Sequence, residues 1–102
     1  MMTVVTEIEI MSGQEPQWDA AFQDRLRDAP NQPGWVGIQL VIPLDAANKR
    51  VVIGTWESRA DWEAWHDTDV FRSTRERLNE VEQSSSGETW YEVIDLRSSP
   101  RP

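Results

Sequence analysis

The chain has 102 residues, 10 basic and 18 acidic, for a formal net charge of −8. That balance argues against nucleic acid or an anionic membrane as a partner, because phosphate recognition needs a basic face. There is no cysteine and one histidine, His66, so disulfides, thiolate chemistry and a multi-histidine metal cage are excluded, and no metal site is expected.

Thr3 to Ile10 alternates and is β-branched, which predicts a strand with Val4, Thr6, Ile8 and Ile10 on one face and Val5, Glu7 and Glu9 on the other. A turn at Ser12-Gly13 leads to Pro16, a favoured residue at a helix start. Trp18, Ala21, Phe22, Arg25 and Leu26 recur at helical spacing, so a helix is expected from Pro16 to Asp28, ended by Pro30, Pro33 and Gly34. Trp35 to Ile42 reads as a second strand, with Val36, Ile38, Leu40 and Ile42 opposite Trp35 and Val41. Leu44 to Arg50 reads as a polar connection and Val51 to Trp56 as a third strand. Ser58-Arg59-Ala60-Asp61 resembles a capping box, with Asp61 in place of the usual Glu, opening a helix over Arg59 to Asp67. Val70, Phe71, Thr74, Leu78 and Val81 predict another helix. Ser84 to Gly87 reads as a flexible link, Thr89 to Leu96 as the last strand and Ser98 to Pro102 as a frayed tail.

This order, β-α-β-β-α-β, predicts one α+β domain over 1–102 with a ferredoxin-like antiparallel sheet, an ordered core over 3–96 and a tail over 97–102. The second and third strands carry apolar residues on both faces, while the helices can cover only one. A second copy packed sheet against sheet is the economical cover, so a homodimer is expected. No apolar run approaches the roughly 20 residues of a membrane span, and Met1 is not followed by a leader-like pattern. A cytoplasmic location is the expectation.

The segment Val51 to Leu78 resembles the antibiotic biosynthesis monooxygenase family, whose fold is a dimeric α+β barrel. Thr55-Trp56-Glu57-Ser58, Trp62, Trp65 and Phe71 carry the likeness, together with Pro33-Gly34-Trp35-Val36-Gly37, which resembles a PGF-x-G pattern with Trp for Phe. The likeness spans about Val4 to Leu96. It implies a cofactor-independent monooxygenase that oxidises a small planar phenol or quinol with O2 and uses no metal or flavin. Two alternatives stay open: a non-catalytic small-molecule-binding relative, and a haem-binding or haem-degrading protein without the usual axial His.

The resemblance sorts the candidate residues. In the cofactor-free branch Trp56 matches a pocket Trp, Trp62 stands where a Tyr is usual, Val52 where an Asn is usual, and Arg75 and Arg77 flank the position of an Arg. In the haem-degrading branch Trp65 matches a porphyrin-facing Trp, while the axial His falls at Thr74 or Arg75 and a catalytic Asn at Thr6. Without an imidazole at that place, iron lacks its proximal ligand. Trp56, Trp65 and His66 are therefore the candidate catalytic residues, and Thr6, Trp62, Phe71 and Arg75 the candidates for binding a small aromatic molecule. Each has a plainer reading. The three indoles could fill the core between helix and sheet. His66, some 100° from Trp65 around the helix, could be a surface residue paired with Asp69, and that reading is favoured. Glu7 and Glu9 could accept a proton if their face lines the cavity, but ordinary surface charge is favoured. Arg72, Arg75 and Arg77 read mainly as a solvated or dimer-rim face, and of Trp90 and Tyr91 one should face the helices and one the open sheet face.

Overall fold

The computed structural model describes residues 1–94. Its elements are β1 (Met2–Ile10), α1 (Glu15–Leu26), a single 3-10 turn (Ala29–Asn31), β2 (Trp35–Val41), β3 (Lys49–Trp56), α2 (Arg59–His66), α3 (Asp69–Val81) and β4 (Glu82–Glu92). The four strands form one antiparallel sheet in the order β2-β3-β1-β4. This is the α+β ferredoxin-like architecture expected from the sequence, with three helices.

The alternation of β1 sets the two faces of the sheet. Val4, Ile8 and Ile10 are buried under the helices. One core cluster joins Ile8 and Ile10 to Trp18, Ala21 and Phe22 of α1 and Leu78 of α3. A second joins Trp56 of β3 to Ala29, Trp65 of α2 and Phe71 of α3. Trp18 and Trp56 are both 0% exposed. An indole buried to that degree stabilises the fold by several kcal/mol, and truncation to Ala costs about 3–5 kcal/mol.

The capping box at α2 forms. The Asp61 amide donates to Ser58 Oγ at 3.1 Å, and Ser58 Oγ donates to Asp61 Oδ2 at 2.8 Å. Thr68 caps α3 in the same manner, accepting from the Phe71 amide. The opposite sheet face carries Val5, Val51 and Ile53, all half-buried, with Val41 and Tyr91 exposed. None of these residues belongs to the two clusters beneath the helices.

Several boundaries differ from expectation, each for a physical reason. Lys49 and Arg50 belong to β3, not to the preceding connection: Arg50 pairs with Ile8 and is buried, its guanidinium held by both Asp19 oxygens at 2.9 and 3.0 Å. Ser84 to Gly87 is not a link but part of β4, which begins directly after α3. This edge strand holds its polar run by pairing with β1 through two register shifts. At one of them Gly87 adopts φ +75° and the Glu7 amide donates to Ser86 Oγ. Trp35 does not oppose Ile38. A bulge between Trp35 and Gly37 turns Trp35 to the helix side, where it meets Trp56 edge to face at 5.6 Å. Residues 95–96 of the expected last strand and the tail over 97–102 lie outside the described residues.

Candidate functional site

The helix-facing side of the sheet and the helices above it bound a cavity of about 370 Å³. Its floor is Val4, Thr6 and Ile8 of β1, Ile38 of β2, and Val52, Gly54 and Trp56 of β3. Trp62, Trp65 and His66 of α2 and Phe71, Arg75, Leu78 and Asn79 of α3 form its walls, with Arg25 of α1 and Ser85 and Glu88 of β4. The volume falls in the range of small-ligand pockets.

The aromatic wall is a continuous set of ring contacts. Trp56 and Trp65 lie 5.2 Å apart, Trp65 meets Phe71 edge-on at 4.8 Å, and Trp62 meets Trp90 at 4.6 Å. His66 sits among them, 3.7 Å from the Trp62 ring and 4.0 Å from Phe71. The Trp56 indole N–H is buried and has no hydrogen-bond partner among the described residues.

Charge enters this apolar space at a few points. Nδ1 of His66 donates to the Trp62 carbonyl at 2.7 Å. That bond puts the proton on Nδ1 and leaves Nε2 with a lone pair. Burial pushes the His66 pKa below 6.5, and the charges of Arg75 and Arg25 push the same way, against the Trp62 carbonyl and Glu88. Arg25 lies 3.9 Å over the Phe71 ring and Arg75 5.1 Å from it. Burial, and then the charge of Arg75, bring Arg25 down to about 10. Glu82 is pushed up from 4.5 by burial, although it accepts from Trp18 Nε1 at 2.9 Å.

All seven candidate residues, Thr6, Trp56, Trp62, Trp65, His66, Phe71 and Arg75, lie on this cavity wall. One expectation is corrected. His66 is not a surface residue paired with Asp69, because the stack on Trp62 one turn earlier and the bond to its carbonyl draw the ring inward. The three arginines are exposed, as expected. Arg75 turns to Phe71, Arg77 donates to Asp24 at 2.8 Å, and Arg72 lies 3.7 Å from Asp67. Trp65 and His66 leave α2 about 100° apart, as expected, and the cavity touches both.

Glu7 and Glu9 line a separate depression of about 310 Å³ with Lys49 and Ser84. Trp90 faces the helices and Tyr91 the open sheet face. Arg25, Asn79, Ser85 and Glu88 were not among the sequence candidates. Arg25 alone had a signal, a charged residue within the apolar stripe of α1. Among the described residues, no three His, Asp or Glu side chains gather where a metal ion could be held.

Residues 1–77 match the sequence profile of a family described as "Antibiotic biosynthesis monooxygenase". A "Heme oxygenase (mycobilin-producing)" of Mycobacterium tuberculosis is 31% identical over 61 residues, 60% of this chain, and the match spans 58% of that protein. The solved structure of SnoaB, a cofactor-independent oxygenase from Streptomyces nogalater, superimposes with a TM-score of 0.81 at 18% identity, covering 95% of this chain and 96% of that one. A conserved protein of Methanosarcina mazei superimposes with a TM-score of 0.82 at 11% identity, covering 88% and 89%. At such identities these two likenesses concern the fold.

Proposed function

The chain belongs to the antibiotic biosynthesis monooxygenase family, and on that premise we propose that it oxidises a small planar phenol or quinol with O2 inside the aromatic cavity, without a cofactor. The observation that carries the reading is His66: its Nδ1 is committed to the Trp62 carbonyl, and Nε2 is left as a proton acceptor on an indole-lined wall. Trp56, Trp62, Trp65 and Phe71 hold the flat ring, and Nε2 takes the phenolic proton. The resulting anion sits near Arg25 and Arg75, whose charge steadies it, and is electron-rich enough to reduce O2 at carbon. The carbon para to the oxyanion, a CH2 in the keto form, bonds O2 as C–O− returns to C=O; the peroxide takes the proton back from Nε2, and the hydroperoxide loses water to leave a carbonyl. One O2 gives one carbonyl oxygen and one water, so no outside reductant is required.

The test is incubation with dithranol, an anthrone, under 18O2. Quinone formation above autoxidation, with label in the new carbonyl and loss of rate in His66→Gln, is expected. Turnover equal to the protein-free control would overturn the reading. A ligand that raises Tm without being transformed would favour the non-catalytic binding alternative.

The relative named as a heme oxygenase raises the haem alternative, and Thr74 argues against it. At the place where the resemblance asks for an axial imidazole, Thr74 is 3% exposed, and its hydroxyl accepts from Arg25 Nε and donates toward the Val70 and Phe71 carbonyls. His66, the chain's one His, stands at the end of α2 and not at the axial place on α3, with its ring packed between Trp62 and Phe71. These residues do not fit a haem held by an axial His.

The reading takes residues 1–102 as one domain and includes a homodimer across the sheet face of Val5, Val51 and Ile53. Sedimentation equilibrium tests this, with Ile53→Lys expected to give monomers. It also includes a cytoplasmic location, with neither nucleic acid nor membrane as partner; no helix among the described residues is long and apolar enough to cross a membrane.

A further inference from the structure

Five of the six Trp residues belong to one chain of ring contacts around the cavity. It runs Trp35–Trp56 at 5.6 Å, Trp56–Trp65 at 5.2 Å, Trp65–His66 at 5.6 Å, His66–Trp62 at 3.7 Å and Trp62–Trp90 at 4.6 Å. Indole is among the side chains most easily oxidised by one electron, and rings in van der Waals contact exchange electrons readily. We propose that Trp65, Trp56 and Trp35 form a relay that carries an electron vacancy from the cavity to the protein surface.

Protonation sets the direction. A Trp that loses an electron becomes a radical cation, which is trapped once its N–H proton leaves. The Trp56 N–H is buried and has no acceptor among the described residues, so the Trp56 radical cation keeps its proton and remains a strong oxidant. It regains its electron from the next ring. Trp35 is half-buried and reaches the edge of the sheet, where its proton can pass to water. The vacancy is trapped there as a neutral radical. The other exit is less favourable: the Arg59 guanidinium lies 4.1 Å over the Trp90 ring, and its charge, screened by solvent and by Glu63 at 3.7 Å, opposes positive charge in that indole.

The oxidant is a peroxyl radical: the substrate anion gives one electron to O2, the superoxide formed leaves to solvent, and a second O2 adds to the substrate radical that remains; in that respect the proposal rests on the oxygenase reading. The peroxyl radical takes one electron from Trp56 or Trp65 and one proton from solvent to become a hydroperoxide. Trp35 gives the electron back and releases its proton to water. A thiol of low molecular weight in the surrounding solution then donates a hydrogen atom to the Trp35 radical, restoring the indole and becoming a thiyl radical.

Pulse radiolysis with azide radicals tests the relay without any substrate, because the azide radical supplies the oxidant. The protein used carries Trp35→Tyr in a Tyr91→Phe background, so that the vacancy ends on the chain's one Tyr. Indolyl radical absorption should convert to tyrosyl absorption in a first-order step independent of protein concentration, and the conversion should be lost on adding Trp56→Phe. No conversion, a rate that grows with protein concentration, or one that survives Trp56→Phe would overturn the relay. Near-UV circular dichroism checks that Trp56→Phe is folded. If it is not, Trp35→Phe in the otherwise unchanged chain serves instead: peptide mass mapping after oxidation should find oxygenated Trp56 and Trp65, and intact indoles there would overturn the proposal. A relay present in a protein that does not turn over dithranol would stand while the oxygenase reading falls.

Discussion

Arg25 and Thr74 hold each other across the α1–α3 contact: Nε donates to Oγ1 at 2.9 Å, and that hydroxyl in turn donates a hydrogen bond shared between the carbonyls of Val70 and Phe71. The bond fixes the guanidinium over Phe71 at the cavity wall. Thr74→Val keeps the shape and removes the acceptor from a largely buried cation. A loss of about 1–2 kcal/mol in urea unfolding is expected, with most of it recovered by Thr74→Ser.

Gly34 has φ +81°, and a Cβ built there falls on the Asp61 carboxylate that closes the cap of α2. Gly34→Ala therefore strains the backbone and displaces a cap together. Removing the cap alone by Ser58→Ala should cost about 1 kcal/mol. Gly34→Ala should cost more than that, read as a larger fall in Tm.

His66 should give stability a pH dependence of known sign. Its folded pKa is depressed below 6.5, so the unfolded chain binds more protons between the folded value and 6.5. Stability then rises with pH across that window and falls as His66 is forced to charge. Glu82 acts oppositely: its pKa is raised above 4.5, so its contribution is present at low pH and lost as pH rises through the raised value. Urea unfolding from pH 4 to 8 should show the His66 slope disappear in His66→Gln and the Glu82 slope in Glu82→Gln. In turnover, the acidic limb of kcat/KM should lie below pH 6.5.

Arg50 is 4% exposed and grips Asp19 with two nitrogens, while a third bond set reaches the carbonyls of Ala47 and Lys49. Asp19→Ala strands a buried cation that keeps only carbonyl partners. A cost of about 2–3 kcal/mol is expected, tempered by the partial exposure of Asp19. Adding Arg50→Met should recover much of it, measured as a double-mutant cycle in urea.

The inner face of β1, the apolar stripe of α1 and the capped start of α2 at Ser58 are local patterns, and local patterns were legible. What escaped depended on a partner strand or a neighbouring helix. Ser84 to Gly87 has poor strand chemistry, yet β1 holds it along an edge where one side needs no partner. The Trp35 face was misread because a bulge adds one residue to the alternation without any residue type announcing it. The helical wheel separates His66 from Trp65, but only the fold reveals that the cavity curves around both. Arg25 was visible as a charge in an apolar stripe, and its meaning came with Phe71 and Thr74, 46 and 49 residues away.

The bulge at Val36 makes chain length a determinant of the cavity wall. Delete that one residue and every amino-acid identity around it survives, yet Trp35 swings to the opposite side of the sheet, leaving Trp56 without its edge-on neighbour. Homologues that share the Trp and differ by a single gap would thus differ in which side of the sheet that indole serves. When sequences of this kind are aligned or grafted onto one another, the placement of that gap matters more than matching the tryptophan.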